Sequence, residues 1–101
     1  MPALLEITGN AGLIILTGSF DFSVQDSVRL IFNEALKSRK IKTITVDMAA
    51  VAFMDSSAIR LLLVLNKSAA ADGKSLTLIN CHGSLREIFS IGGFDTVLTI
   101  R

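Results

Sequence analysis

The chain has 101 residues, of which 50% are hydrophobic, with a formal net charge of +1 and a single cysteine. This length predicts one domain over residues 1–101 with enough apolar residues for one core, and the low charge argues against a nucleic-acid partner or an anionic membrane surface. The apolar run at residues 61–65 is far shorter than the roughly 20 residues of a membrane span. The N-terminus lacks the pattern of a secretion signal, and one cysteine forms no internal disulfide, so we expect a cytoplasmic protein.

The first half of the chain predicts a hairpin, a helix and a strand. The β-favouring runs Leu4–Thr8 and Leu13–Thr17 flank a Gly-Asn-Ala-Gly turn. Ser23 followed by Asp26 three residues later is a signature of a helix start, and apolar residues then recur at helical spacing. The next strand is predicted at Ile41–Val46, followed by a short connector.

The second half of the chain continues the alternation of helices and strands. The segment Ser56–Ala71 is apolar nearly all the way round and predicts a mostly buried helix with an exposed first turn, ended by Gly73. A strand at Ser75–Ile79, a helix starting at Ser84 and a last strand at Val97–Ile100 follow. The order β-β-α-β-α-β-α-β predicts an α/β domain with partly parallel strand pairing.

The tripeptide Asp55-Ser56-Ser57 places a carboxylate and two hydroxyls at the start of the apolar helix. Free N–H groups and the positive end of the helix dipole favour negative charge at this position, so a phosphate could be attached there. Aspartate and serine are also preferred helix caps, and capping alone is the more frequent reason for such a tripeptide. The two interpretations are compatible, because one serine can be modified while a neighbour caps.

The heptapeptide at residues 53–59, Phe-Met-Asp-Ser-Ser-Ala-Ile, resembles the signature of the STAS family, the bacterial anti-sigma factor antagonists. Gly18-Ser19-Phe20-Asp21 matches the family's Gly-x-x-Asp after the second strand. The segment at residues 91–97 resembles its closing Gly-hydrophobic-acidic stretch. The resemblance covers essentially the whole chain. It implies a single STAS domain over residues 1–101, with a mixed β-sheet and helices packed mainly on one face.

The resemblance also implies a switch between partners. An unphosphorylated antagonist of this family binds an anti-sigma factor that is also a serine kinase, and so frees a sigma factor. Phosphorylation of the serine after the motif's aspartate ends the binding, and a PP2C-type phosphatase removes the phosphate. Carried over to this chain, the phosphoacceptor is Ser56. The implied partner-binding residues are Asp21, Asp55, Ser57, Ala58 and Arg60.

Arg60 lies at position i+4 from Ser56, where it is placed to pair with a phosphate or with an acidic partner. The family commonly has glycine where this chain has Ala58 and Arg60, so both residues bear on the identity of the partner. No cofactor and no catalytic residue is implied.

Other functions are less well supported by the residues. The same resemblance leaves open a STAS adaptor subunit, in a stress-signalling assembly or a lipid-transport ABC complex, without regulated phosphorylation. A hydrolase triad with Ser56 and His82 lacks the Gly-x-Ser-x-Gly elbow, and adjacent Cys81 and His82 have poor metal-ligand spacing. No aromatic residues accompany the basic cluster to stack nucleic-acid bases; it comprises Lys37, Arg39, Lys40 and Lys42.

Overall fold

In a computed structural model, which describes residues 3–101, the chain forms one five-stranded sheet. Its strands are β1 (Ala3–Thr8), β2 (Ala11–Phe20), β3 (Thr43–Met54), β4 (Ser75–Ile79) and β5 (Thr99–Ile100). The strands lie side by side in chain order. The β1–β2 pair is antiparallel, and each of the other three pairs is parallel. Met1 and Pro2, part of the N-terminus in which no secretion signal is expected, lie outside the described residues.

Three helices connect the parallel strands. They are α1 (Gln25–Lys37), α2 (Ser56–Ala71) and α3 (Gly83–Ile91). Each helix links two neighbouring parallel strands, and such crossovers are right-handed almost without exception, so all three helices lie on the same face of the sheet. The predicted α/β class, the mixed sheet and the placement of the helices on one face are confirmed.

The core lies between that face and the helices. Every second side chain of the central strands is buried there, as Ile14 and Leu16 in β2 and Leu76 and Leu78 in β4 show. Helix α2 contributes the largest helical share, namely Ala58, Ile59, Leu61, Leu62, Leu65 and Ala69. The expected burial of this helix is therefore confirmed for most of its apolar side chains. Val64 is an exception and is 54% exposed.

The central strand β3 is much longer than the predicted Ile41–Val46, because it begins at Thr43 and continues to Met54. Its pairing with β2 shifts register twice, so the buried side chains change from every second to every third residue at Met48, Val51 and Met54. A strand pattern with period two cannot reveal such a segment. The predicted connector between Val46 and Asp55 was therefore wrong.

Strand β2 also continues beyond its predicted end at Thr17, to Phe20. The second register shift falls between Gly18 and Ser19, and Gly18 has a φ of +80°. Glycine adopts this conformation without the steric penalty of other residues, so it can form an irregularity inside the strand. The two extensions bring the carboxyl ends of β2 and β3 together at one edge of the sheet.

Two predicted helix starts also need correction. Ser23 lies within a 3₁₀ turn at Phe22–Val24, and α1 begins only at Gln25, with no side-chain cap. Helix α3 begins at Gly83, one residue before the predicted Ser84, also without a side-chain cap. The last strand is reduced to Thr99–Ile100, because the backbone N–H groups of Val97 and Leu98 donate to the carbonyl oxygen of Phe94 over 3.1 and 2.8 Å. Among residues 3–101, no helix is long and apolar enough to cross a membrane.

Candidate functional site

The candidate site forms where two parallel strands end side by side. Asp21 directly follows β2 and Asp55 directly follows β3, and the two strands are hydrogen-bonded neighbours. The backbone N–H of Asp55 donates to the carbonyl oxygen of Phe20 over 3.4 Å. The backbone N–H of Phe22 donates to Oδ2 of Asp55 over 3.1 Å. The loop after β2 is thus tied to the start of α2 from both sides of Asp21.

Asp55 is the N-cap of α2. Its extended backbone conformation allows Oδ1 to accept from the backbone N–H of Ala58, over 3.0 Å, and from the hydroxyl of Ser57, over 2.5 Å. The hydrogen bond from the Ser57 hydroxyl is the main cause that lowers the pKa of Asp55; desolvation opposes it, and the backbone N–H groups of Ala58 and Phe22 add to the lowering, so the pKa lies below its ordinary value. The carboxylate is therefore ionised at neutral pH, with both oxygens engaged.

The two serines of the motif have different surroundings. Ser57 is partly buried, its hydroxyl donates to Asp55, and its backbone carbonyl accepts from Nε2 of Gln25 over 2.9 Å. Ser56 is exposed, and its hydroxyl has no hydrogen-bond partner among residues 3–101. The first residue of α2 therefore carries the accessible hydroxyl of the pair, at the positive end of the helix dipole.

The other three predicted residues are placed differently from one another. Asp21 is partly buried, and its Oδ1 accepts from the backbone N–H of Ser23, over 3.0 Å, and from the Ser23 hydroxyl, over 2.5 Å, so it caps the 3₁₀ turn. Arg60 is exposed on α2. Ala58 is fully buried, so its methyl group is not accessible to a partner in this conformation.

Two aromatic side chains near the site were not singled out from the sequence as binding residues. Phe22 is 73% exposed and Phe53 is 53% exposed, although both are large and apolar. Phe22 lies in the loop that donates to Asp55, and Phe53 precedes Asp55 by two residues in β3. Sequence pattern alone treats both as core candidates, because their exposure depends on how β2 and β3 end.

Cys81 and His82 do not form a catalytic or metal-binding site in the described part of the chain. Burial raises the pKa of the Cys81 thiol, against an opposing effect of the Arg86 charge, so this thiol is a poor nucleophile. His82 is exposed in the loop before α3. Within residues 3–101, no group of three or more His, Cys, Asp or Glu side chains could hold a metal ion.

The basic cluster lies away from the motif. Lys37, Arg39 and Lys42 line an open depression together with Lys74 and Asp72. These residues come from the end of α1, the segment leading into β3 and the turn after α2, which is the end of the domain opposite the start of α2.

Curated relatives cover nearly the whole chain. A STAS-domain containing protein of Pseudomonas aeruginosa (strain UCBPP-PA14) is 29% identical over 101 residues, which are 99% of this chain and 97% of the relative. An anti-sigma F factor antagonist of Paenibacillus polymyxa is 24% identical over 102 residues, covering 99% of this chain and 87% of the relative.

Solved structures share the fold. The Bacillus anti-sigma factor antagonist SpoIIAA, known in unphosphorylated and phosphorylated forms, superimposes with a TM-score of 0.75 at 24% identity, over 98% of this chain and 86% and 90% of the respective SpoIIAA chains. A sulfate transporter family protein from Wolinella succinogenes gives a TM-score of 0.78 at 19% identity, over 92% of this chain and 75% of that one. The family model of the STAS domain matches residues 3–101. The chain belongs to the STAS domain family.

Proposed function

We propose that this chain, acting as one STAS domain over residues 1–101, is a cytoplasmic anti-sigma factor antagonist controlled by phosphorylation of Ser56. The unphosphorylated form binds an anti-sigma factor that is also a serine kinase, and so frees a sigma factor. The phosphorylated form does not bind, and a PP2C-type phosphatase restores the first state. In this proposal the chain is a substrate and binding partner, with no catalytic activity of its own.

The observation that carries the proposal is the difference between Ser56 and Ser57. The Ser56 hydroxyl is exposed and has no partner in the described part of the chain, whereas the Ser57 hydroxyl donates to Asp55 and is partly buried. A kinase therefore reaches Ser56 without breaking any internal hydrogen bond. A relative of 24% identity is named an anti-sigma F factor antagonist, and the similar structure of SpoIIAA includes a phosphorylated form.

The chemical step is a phosphoryl transfer from ATP bound to the kinase. The Ser56 oxygen attacks the γ-phosphorus, the bond from that phosphorus to the oxygen bridging to ADP breaks, and ADP leaves. The serine proton passes to a base on the kinase. The chain contributes an accessible hydroxyl held on a rigid helix terminus.

The charge added by the phosphate has little net effect on the fold. A phosphoserine adds about −1.5 to −2 charges. The terminus of α2 stabilises each charge by ~0.3–1 kcal/mol at an exposed position, while the ionised Asp55 nearby repels it. Because these effects oppose each other, we expect the domain to keep its structure.

The same charge has a large effect in a closed interface. Two like charges ~6 Å apart at an effective dielectric constant of ~20 repel by about 3 kcal/mol. That energy corresponds to around a hundredfold in affinity. One partner carboxylate near Ser56 is therefore sufficient for a switch.

The neighbouring aromatics supply the apolar part of the proposed interface. Phe22, whose backbone N–H donates to Asp55, and Phe53, two residues before Asp55, are both exposed. Exposed aromatic side chains are typical anchors of protein interfaces. The partner thus meets exposed aromatic side chains and an accessible hydroxyl, where a phosphate introduces charge.

A second candidate is an adaptor that binds its partner without regulated phosphorylation. The fold likeness to a sulfate transporter family protein favours keeping this candidate, since STAS domains also occur in transporters. In this role, within a stress-signalling assembly or a lipid-transport ABC complex, Phe22 and Phe53 form a constant docking surface.

Phosphorylation by the partner distinguishes the two candidates. The chain is incubated with ATP and a candidate anti-sigma serine kinase from the same genome, its intact mass is measured, and the modified residue is mapped. We expect one phosphate, on Ser56, and loss of the complex. A stable complex with no phosphate, or phosphate on Ser57, would favour the adaptor.

The matched controls are the two serine-to-alanine variants. Ser56→Ala is expected to abolish phosphorylation and to leave a permanent complex. Ser57→Ala removes only the hydrogen bond to Asp55, so it is expected to accept phosphate on Ser56. Equal phosphorylation of Ser56→Ala and wild type would contradict the proposal.

A further inference from the structure

A groove between α1 and α2 extends from the candidate site along the helix surface. Gln25 in α1 donates to the carbonyl oxygen of Ser57 in α2 over 2.9 Å, so the first turns of the two helices meet. The groove runs from this contact toward the other ends of the helices and has a volume of about 210 Å³. Its lining residues are contributed by these two helices alone.

The groove has an apolar floor and a basic rim. Leu61 and Leu65 are buried beneath it, and Val64 is 54% exposed at its edge. Arg29 and Arg60 both line it, each about one helical turn from the Gln25–Ser57 contact, and no aspartate or glutamate is among its lining residues. Two arginine side chains therefore line the same groove without a lining carboxylate.

Asp26, the carboxylate paired with Arg29, competes only weakly with a second anion for that guanidinium group. Asp26 pairs with Arg29 over 3.3 Å, but the Asp26 side chain is 97% exposed and that of Arg29 is 48% exposed. Exposed pairs of this kind contribute little to stability, so Arg29 is available to a second anion. Arg60 forms no ion pair within residues 3–101.

The size of the groove limits its occupant. Small-molecule and cofactor sites usually enclose about 300–1,000 Å³, so about 210 Å³ is suited to one or two side chains. Ser56 does not line the groove, whereas Ser57 does. The groove therefore lies next to the Ser56 hydroxyl whose phosphorylation is proposed above, without including it.

We propose that Arg29 and Arg60 receive an acidic side chain of the anti-sigma kinase, with a neighbouring apolar side chain of that partner on the leucine floor. This inference rests on the proposed function and adds the determinant of partner choice. Arginine binds carboxylates through two parallel hydrogen bonds, which fixes orientation as well as charge. A phosphate on Ser56, at i−4 from Arg60, attracts this guanidinium and repels the incoming acid.

Charge reversal tests the proposal. The affinity of the anti-sigma kinase that phosphorylates this chain is measured for wild type, Arg60→Glu, Arg29→Glu and Lys67→Glu. Lys67 is an exposed residue of α2 that does not line the groove, and it lies about 10 Å further along the helix. We expect about a hundredfold loss for Arg60→Glu and at least about tenfold for Arg29→Glu. Lys67→Glu should change affinity by less than about threefold.

Two further readouts separate recognition of an acid from a structural role. Arg60→Lys keeps the charge and loses the two-pronged geometry, so it should bind more weakly than wild type and more tightly than Arg60→Ala. The salt dependence of binding should be less steep in Arg60→Ala than in wild type. Thermal unfolding of all variants should match wild type, because the substituted side chains are exposed.

The outcomes also distinguish this inference from the proposed function. If wild type binds the kinase and Arg60→Glu binds as tightly as Lys67→Glu, the inference is wrong and the proposed function stands. If wild type does not bind the kinase at all, the proposed function fails, and this inference fails with it.

Discussion

The starts of α2 and α3 occupy equivalent places in the fold but are built differently. Each follows a parallel strand at the same edge of the sheet, after β3 and β4 respectively. At α2, the Asp55 carboxylate accepts from Ala58, Ser57 and Phe22. At α3, the capping position holds His82, whose side chain makes no capping bond.

The two helices also differ in how many of their side chains are buried in the core. Helix α2 buries six side chains, whereas α3 buries only Leu85 and Phe89. The first residue of α3 is Gly83, with a φ of +49°, whereas the first residue of α2 is the exposed Ser56. Equivalent topology therefore supplies a helix terminus at both places. The residues at α2 add a carboxylate cap beside the exposed hydroxyl of Ser56. Ser84 in the first turn of α3 is also exposed and has no hydrogen-bond partner among residues 3–101, but no side chain caps that helix.

The largest expected difference between the two starts is in partner binding. Ser56→Asp places a permanent charge at α2 and should weaken binding to the anti-sigma kinase by around a hundredfold. Ser84→Asp places the same charge in the first turn of α3 and should leave affinity nearly unchanged. Calorimetric titration of both variants measures the difference. Equal affinities would remove the distinction between the two starts.

Removing the cap should destabilise α2. Asp55→Ala eliminates all three hydrogen bonds of the carboxylate, so we expect the Tm to fall by several degrees and the loop containing Phe22 to loosen. Asp55→Asn retains a good capping side chain and should lower the Tm less. Thermal unfolding followed by circular dichroism measures both. If Asp55→Ala and wild type have the same Tm, the Asp55 cap does not stabilise the start of α2.

Substitution of the first residue by alanine should destabilise α3 and leave the stability of α2 nearly unchanged. Gly83→Ala forces a side chain into a left-handed conformation, although the space around it is open, and should lower the free energy of unfolding by about 1–2 kcal/mol. Ser56→Ala removes an exposed hydroxyl without a partner and should stay within about 0.5 kcal/mol of wild type. Urea unfolding of the two variants provides the comparison.

The smallest expected effect is the dependence of stability on pH. The pKa of Asp55 is lower in the folded protein than in the unfolded chain, where aspartate titrates near 3.9. The unfolded state therefore binds more protons in this range, so the contribution of Asp55 is complete above that value and is lost as pH falls through the folded pKa.

Urea midpoints of wild type and Asp55→Asn between about pH 6 and about pH 3 measure this contribution. The advantage of wild type over the variant should narrow toward the acid end. Parallel curves for the two proteins would show that Asp55 does not titrate with folding.

The bounds of α2 and β4 could be read from the sequence because their signals are local. Ser56–Ala71 and Ser75–Ile79 were predicted with the limits that the structure has. A capping aspartate, a continuous apolar helix and Gly73 all act within a few residues of one another. The position of the Asp55-Ser56-Ser57 motif at a helix terminus followed from the same local chemistry.

The length of β3 and the surroundings of the motif were decided by tertiary structure. The register shifts between β2 and β3 extend both strands, and no local pattern encodes them. The contacts of Phe22 with Asp55 and of Gln25 with Ser57 join residues 33 and 32 positions apart. The groove with Arg29 and Arg60 likewise needs α1 and α2 side by side.

The sequence by itself thus determined the fold class, the order of elements and a capped helix start with two hydroxyls. Only the packing of β2 beside β3 and of α1 beside α2 decided that Ser56 is free, that Ala58 is buried and that Phe22 and Phe53 are exposed. The physical reason is that capping and periodicity act over a few residues. Exposure depends instead on which distant segments cover a side chain.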